Sequence, residues 1–569
     1  MTVGSDDAAV TRAVLRDLVD AALQEDLVAV DPPEVDGGWG RVGSVRVRLH
    51  DGGALQRWRA VPGDVVLGRE GHPVTPAGAV EALGLAGPGA ADLAADLTAA
   101  AEHGTAVCRG LAGLGPAALD LLAGERRAAT RGRPFHPTGR AVSGWTADEV
   151  RAFGPMRAAP MPCAWVAVAR DHLRLGPAAG STDLAGPILG EQLPCLHDAM
   201  RRAGVGEDTH QPLPVHPWQR DHVLCSEFAP EISAGLVVGL DVELGRLAPT
   251  SSWRTLVVAD DPRRHVKLPL GVATLGAARL LPPRYLDNGD RAEALLREVV
   301  AADPGLGRLV EVCDEGRWAG WSDGTDEFDD RPGHLAAQVR HYPVDTTAAP
   351  PDGTVALPLG ALAADAWDGL GPALGVTDPL GFFGGLADAF AAMVIGFLAH
   401  GVLPEVHGQN VVARLGPGGM VVGFVLRDHD AVRLHPGWMA AAGTADPGYR
   451  IRPGARQSLR LDTPEDLVAY AQTLGFQVAL FAIADALARW SGLPERAFWG
   501  RLRAAVEGSL AVGGLRDEVA AVLGRVLLDA PTWPSRTVLG PLLAHGRSGS
   551  VSMPAGVGSV PNPLRGSLR

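Results

Sequence analysis

The segment that most constrains this chain opens with Glu405-Val406-His407-Gly408-Gln409-Asn410. It continues through the apolar run Met420-Val421-Val422-Gly423-Phe424-Val425-Leu426 and ends on Arg427-Asp428-His429-Asp430. A short apolar run rich in valine reads as a buried strand. A carboxylate delivered from the end of such a strand is held rigidly, as the positioning of a charged reactant requires. Glu405, Asp428 and the amide of Asn410 are hard oxygen donors of the kind Mg²⁺ takes alongside phosphate oxygens and water. The segment therefore reads as a site for a nucleoside triphosphate and its metal. An Asp after a strand is by itself as readily a turn residue, so the weight falls on the polar clusters elsewhere in the chain.

The 569 residues are enough for two to four domains or lobes with large cores. A formal charge of −14 with no Lys/Arg block argues against a nucleic-acid partner. The cysteines Cys108, Cys163, Cys195, Cys225 and Cys313 are scattered singly, which disfavours a disulfide framework, a zinc site or an iron–sulfur cluster and fits a reducing cytoplasm. The N-terminus has no basic segment followed by an apolar core, so no signal peptide is expected. The apolar stretches Pro379 to Leu403 and Leu474 to Leu487 are broken by Asp388 and His400 and by Gln477 and Asp485, and read as buried helices, with no membrane partner.

Helical spacing of Val10, Ala13, Val14, Leu18, Val19 and Leu23 predicts a first helix from about Asp7 to Leu27. Helical stretches and Gly/Pro turns alternate up to about residue 170, ending in a strand at Cys163 to Ala169. Strand-and-loop text follows from about 210 to 285, then an acidic run, Asp323 to Asp330, of the sort that is usually solvated surface. A long buried helix is expected from about Gly381 to His400, stopped by Gly401. Another is expected from Thr463-Pro464-Glu465-Asp466, with Thr463 as cap, to about Trp490. The Gly-, Ser- and Pro-rich stretch after about 546 is expected to be irregular.

Three further clusters carry chemistry. Thr250-Ser251-Ser252-Trp253-Arg254-Thr255 surrounds one arginine with hydroxyls and can wrap phosphates. If residues 266 to 272 form a strand, Lys267 and Arg279 lie at its two ends, and with Arg254 they make an anion pocket in an acidic protein. His136-Pro137-Thr138-Gly139-Arg140 lies on an expected loop within reach of a carboxylate substrate. His216-Pro217-Trp218-Gln219 reads as packing that braces the pocket.

Taken in order, His136-Pro137 with Arg140, His216-Pro217-Trp218-Gln219, Ser252-Trp253-Arg254-Thr255, Lys267 with Arg279, Glu405-x-His407-x-Gln409-Asn410, Arg427-Asp428 and Pro561-Asn562-Pro563-Leu564 resemble the IucA/IucC family. These are siderophore synthetases that act independently of nonribosomal peptide synthetases. The resemblance covers roughly residues 70 to 564. It implies an α+β, hand-like fold of thumb, fingers and palm, with ATP in a mixed-sheet palm. On that pattern residues 1–175 form a thumb-like domain, 176–375 a fingers-like, phosphate-binding region, and 376–569 the palm with a helical C-terminal part. The implied activity is ATP-dependent: a carboxylate, with citrate as the first candidate, is adenylated with release of pyrophosphate and then condensed with an amine or hydroxylamine.

By the same resemblance, Ser252, Arg254, Thr255, Lys267 and Arg279 contact ATP phosphates, Gln409 and Asn410 lie near nucleotide and metal, and Glu405 and Asp428 surround Mg²⁺. His407 lies at the reacting carboxylate. His136, Arg140, Thr274, Arg279 and Arg536 face the acid, and a homodimer and a cytoplasmic location are expected. Adenylation brings two anions together, so cations and metal carry the catalysis, with Lys267, Arg279 and His407 at its centre. The chain departs from the family pattern at Leu275-Gly276, where Thr-Ser is usual, and at Arg536, where a lysine is usual; both bear on which acid is taken. A kinase-like phosphotransferase making ADP is the alternative, since His-Gly-Gln-Asn, a strand and Arg-Asp-His-Asp also resemble a catalytic loop and metal aspartate. A ferric-reductase-like protein would want clustered cysteines.

Overall fold

The computed structural model describes residues 3–114, 119–178, 182–324, 326–346, 352–455, 457–548 and 555–565. It is a mixed α and β structure built around two sheets that meet at one cleft.

The larger sheet has eight strands, all paired antiparallel. Their order is Leu173–Leu175, Asp314–Trp321, Ala336–His341, Arg264–Lys267, Thr255–Val258, Val237–Pro249, Met161–Ala169 and His210–Val215. The expected strand at 163–169 is thus an interior member, paired on both sides and buried along nearly its whole length. The smaller sheet orders Val310–Val312, Val421–Leu426, Val411–Leu415 and Val355–Pro358. Its first pair is parallel and the others antiparallel. The chain steps directly from Val310–Val312 into Asp314–Trp321, so one short passage through Cys313 stitches the two sheets together. Cys313 N–H donates to the Leu426 carbonyl at 3.0 Å, which sets the end of the apolar run beside the start of the long strand.

The expectation of one strand over 266–272 is corrected. Arg264–Lys267 and Leu270–Thr274 are separate, because Leu268-Pro269 interrupts the ladder and proline has no N–H to continue it. Leu270–Thr274 instead folds back on Ala277–Arg279 through the two-residue turn Leu275-Gly276, whose φ angles are 56° and 76°. Two positive φ values belong to the tight turn that matches hairpin twist.

The helix expected near 381–400 spans Pro379–Ala399. Asp378 caps it by accepting from Gly381 N–H at 2.9 Å, and Pro379 takes the first-turn place where its missing N–H is harmless. Gly401 follows at φ 71°, and a Cβ there would meet Met439 N at 2.5 Å, so only glycine lets the chain turn into the 405–410 loop. The second helix is capped by Thr463 as expected. It runs through Pro464–Tyr470, a wide π-type stretch Ala471–Leu480 and Phe481–Ser491, closing at Gly492 with φ 71°. Among the described residues these two helices are long and apolar enough to cross a membrane by length and composition, and here their side chains build the largest core cluster.

The N-terminal helix Val3–Gln24 packs with a small sheet, Val30–Asp31, Trp39–Val42, Val45–Asp51 and Trp58–Ala60. Their core is completed from the far end of the chain by Leu539, Leu542 and Leu543. Glu25 accepts from the N–H groups of Val538, Leu539 and Gly540 at 2.8 to 2.9 Å and so caps the Leu539–His545 helix. The region after 546 is also more regular than its composition predicts. Gly556–Pro561 pairs antiparallel with Thr532–Thr537, since edge pairing by backbone groups tolerates glycine and proline. Residues 549–554 lie outside the described ones.

Candidate active site

A cleft of about 1440 Å³ opens between the two sheets, the 270–279 hairpin, the 405–410 loop, a strap at 450–461 and the C-terminal hairpin. That exceeds the ~300–1,000 Å³ of an ordinary small-ligand pocket and leaves room for more than one substrate.

One wall is built from the hydroxyl-rich loop. Thr250 N–H donates to Thr255 O at 3.0 Å, Ser252 Oγ accepts from Thr255 N–H at 3.1 Å, and Trp253 sits at φ 68°, so the loop is locked by its own bonds. Glu125, fully buried, clamps it from behind by accepting from Ser251 N–H at 3.2 Å and from the Ser251 hydroxyl, while pairing with Arg427 at 2.6 Å. Arg254 donates to Leu280 O at 2.5 Å. Lys267, at the end of its strand, donates to Asp428 Oδ1 at 2.6 Å across 161 residues of sequence, and Arg340 donates to the same oxygen at 2.6 Å. Burial works against the Asp428 charge, but Arg340, Lys267 and Arg427 hold its carboxyl well below the usual range. Asp430 lies beside it, 4.0 Å from Lys267, and is pushed up by burial and by the neighbouring Asp428 and Glu405 charges.

The facing wall is different. Glu405 takes Asn410 Nδ2 at 3.2 Å and Arg433 at 3.4 Å, and lies 3.5 Å from His407 Nε2. His407 Nδ1 accepts from Gln409 N–H at 3.2 Å, which assigns the ring proton to Nε2, facing Glu405. Burial, with the Arg133 charge, pushes the imidazole pKa down. Burial acts against the Glu405 charge too, but His407, Arg433 and Arg133 keep it ionised. The guanidiniums of Arg133 and Arg536 stand on this wall with no hydrogen bond or ion pair to another described residue. Burial lowers both, and Arg536 adds to the effect on Arg133. Arg279 folds back onto Thr274 through its side-chain and backbone oxygens. It is lowered by burial, then by Arg254 and Arg133. In a small annex beside the cleft, His136 Nδ1 accepts from Thr138 N–H at 3.3 Å while Nε2 is buried without a partner among the described residues. Burial, reinforced by Arg133 and Arg536, takes this imidazole down to about 3.

Ser252, Arg254, Thr255, Lys267, Thr274, Arg279, Glu405, His407, Gln409, Asn410, Asp428 and Arg536 thus line one cleft, and His136 lines its annex. Arg140 lines the cleft as well, but its guanidinium is engaged behind the wall. Its Nε donates to Thr130 O at 3.0 Å and its Nη1 lies 3.6 Å from Asp17, so its guanidinium braces the wall. His216 is fully buried and caps Trp218 N–H among Trp145 and Phe153, the packing role its sequence setting predicts. Three acids of the acidic run are already paired: Asp326 with Arg452, Glu327 with Arg450, and Asp330 with Arg284. Phe328 from this run lies on the cleft rim.

Sequence reasoning passed over Arg133, Asp430 and Arg433 in the cleft and Glu125, Glu315 and Arg340 behind it. Asp430 stood within the quoted run Arg427-Asp428-His429-Asp430, and for Arg133 an arginine just ahead of His136-Pro137 was the available signal. The others are single charges with no local signature, Glu125 in the helix Leu121–Arg131 and Glu315, Arg340 and Arg433 in strands.

For Mg²⁺ the donor set is restricted. Among the described residues no group of three or more His, Cys, Asp or Glu can hold a metal. Both cation contacts of Asp428 land on Oδ1, which leaves Oδ2 available, and Asp430 and Asn410 share the cleft. One or two carboxylates with phosphate and water fit Mg²⁺, which rarely uses an all-protein cage.

The same fold is found in solved siderophore synthetases. The petrobactin biosynthesis protein AsbB of Bacillus anthracis str. Sterne superposes with a TM-score of 0.80 at 18% identity, covering 99% of this chain and 96% of that one. ATP-bound aerobactin synthetase IucA of Klebsiella pneumoniae superposes at 0.73 with 19% identity, covering 98% and 99%. In sequence, residues 120–364 match the IucA / IucC family, and residues 388–548 match the family described as ferric iron reductase FhuF-like transporter. Residues 388–548 contain no cysteine. Staphyloferrin B synthase of Staphylococcus aureus is 33% identical over 475 residues, 81% of this chain and 79% of that protein. The chain belongs to the IucA/IucC family of siderophore synthetases.

Proposed function

We propose that this protein is an ATP-dependent acid–amine ligase of siderophore biosynthesis. It adenylates a carboxylate, citrate being the first candidate, and condenses it with an amine or hydroxylamine. One observation carries the reading: a wall of hydroxyls and paired cations faces a wall of unpaired guanidiniums across one cleft. The first suits a polyphosphate, the second the free carboxylates of a small acid. The relatives' names, staphyloferrin B synthase and ATP-bound aerobactin synthetase, support both halves.

In this proposal Ser252, Thr255, Arg254 and Lys267 hold the phosphates, with Gln409 and Asn410 beside the nucleotide. Mg²⁺, held by Asp428 with Asp430 or Glu405, neutralises phosphate charge when bound. Arg279 stands between the walls, touching both phosphate and acid. Arg133 and Arg536, helped by Thr274 and the Nε2–H of His136, orient the acid. A carboxylate oxygen attacks the α-phosphorus, the bond to the β-phosphate breaks, and pyrophosphate leaves. The neutral amine then forms a bond to the acyl carbon as AMP departs, its proton passing to solvent or a neighbouring carboxylate. His407 carries its proton on Nε2, so it acts as a donor to the reacting carboxylate rather than as the base.

Incubation with Mg²⁺-ATP, hydroxylamine and each of citrate, 2-oxoglutarate and succinate tests this. AMP with an acid-dependent hydroxamate is expected. ADP without hydroxamate would instead support phosphotransfer.

A further inference from the structure

Asp428 stands at φ 58° and ψ 73°, a left-handed conformation that a residue with a side chain seldom adopts unless its surroundings impose it. What imposes it lies on the other sheet. Glu315, 2% exposed, accepts from the N–H of Asp428 at 2.9 Å and from the N–H of His429 at 3.3 Å. Its Oε1 also takes Arg340 Nε, and Arg340 Nη2 returns to Asp428 Oδ1 at 2.6 Å, closing a ring of three residues. The register explains why these residues meet. Val312 pairs with Leu426 in parallel, so the residue two steps past Cys313 arrives beside the residue two steps past Leu426.

We propose that Glu315 is a positioning residue for the metal-binding carboxylate. It fixes the backbone of Asp428 directly and its Oδ1 through Arg340, so that Oδ2 is presented to Mg²⁺. The inference rests on the reading of Asp428 given above. A carboxylate serving only to neutralise Arg340 would need that one contact. Two consecutive backbone N–H groups at the turn carrying Asp428 mark a positional role. Residues that orient a metal ligand typically matter about 10- to 100-fold in metal affinity or activity when altered.

The test is Glu315→Gln, which keeps the side chain's size but puts an amide nitrogen where an acceptor is needed. The expected result is an approximately tenfold rise in the Mg²⁺ concentration that half-saturates ATP binding, read by calorimetry without turnover, and a similar fall in kcat. KM for the acid stays within about twofold, and the change vanishes in an Asp428→Asn background because both act through one group. Glu315→Asp keeps the charge beside Arg340 but withdraws from the two N–H groups. It shows a smaller shift of the same kind and carries the test if Glu315→Gln does not fold. An unchanged Mg²⁺ dependence in both variants, or a full additional loss on top of Asp428→Asn, overturns the role of Glu315. An Asp428→Asn protein with a wild-type Mg²⁺ dependence overturns the reading of Asp428, and the proposal with it.

Discussion

The two walls of the cleft carry similar charges in opposite states. On the Lys267 wall the charges gathered around Asp428 and Glu125 are paired before any substrate arrives: Lys267 and Arg340 on Asp428, Arg340 on Glu315, Arg427 on Glu125. On the Arg133 wall the guanidiniums of Arg133 and Arg536 hold no partner among the described residues, and the Arg536 charge adds to burial in lowering the pKa of Arg133. A paired network is organised in advance and insensitive to which small molecule enters, as a site for a constant co-substrate should be. An unpaired one gains most from the anion that fills it, which makes it the place where selectivity resides.

The sharpest way to break this contrast is on the paired wall. Lys267→Met should lower kcat about 10²- to 10³-fold in a pyrophosphate-release assay, the scale of losing a preorganised charge at a reacting phosphate. On the other wall Arg133→Ala should raise KM for the acid about 10- to 100-fold, since charged hydrogen bonds contribute about 1.5–3 kcal/mol. KM for ATP should hardly move; an equal rise in both would erase the distinction between the walls. The third prediction concerns proton linkage. His136 is neutral when folded, down to about 3, but protonates below about 6.5 when unfolded, so it subtracts stability as pH falls through that window. Between pH 7 and 5 this amounts to about 2 kcal/mol. In urea melts, His136→Asn should flatten the loss by about that much, whereas a parallel slope would mean the imidazole is charged in the fold. The smallest effect belongs to the rim, where Arg452→Ala breaks an exposed pair with Asp326 and should change stability by less than about 1 kcal/mol.

Local chemistry made the long helices readable: Thr463-Pro464, Pro379 and Gly401 act on their immediate neighbours, and the structure uses each of them. The ordered motifs brought Lys267, His407 and Asp428 to notice. Neither route reached Glu315 or Arg340, because a single charge in a strand acquires its meaning from a residue about a hundred positions away. The division of 266–272 was also missed, although Pro269 was in view, because the apolar residues on either side outweighed it. The strand at Gly556–Pro561 escaped because its composition hides a pairing that depends only on backbone groups.

The cap that Glu25 places on the helix beginning at Leu539 has a consequence for synthesis. The first helix leaves the ribosome with its apolar face formed, but the leucines that cover that face and the N–H groups that bind Glu25 are more than 500 residues behind it. At ~5–20 residues per second that interval lasts roughly half a minute or more. Throughout it the nascent chain exposes an unfinished core, so slower growth at low temperature or a holding chaperone should raise the yield of folded protein more than any stabilising change within the cleft.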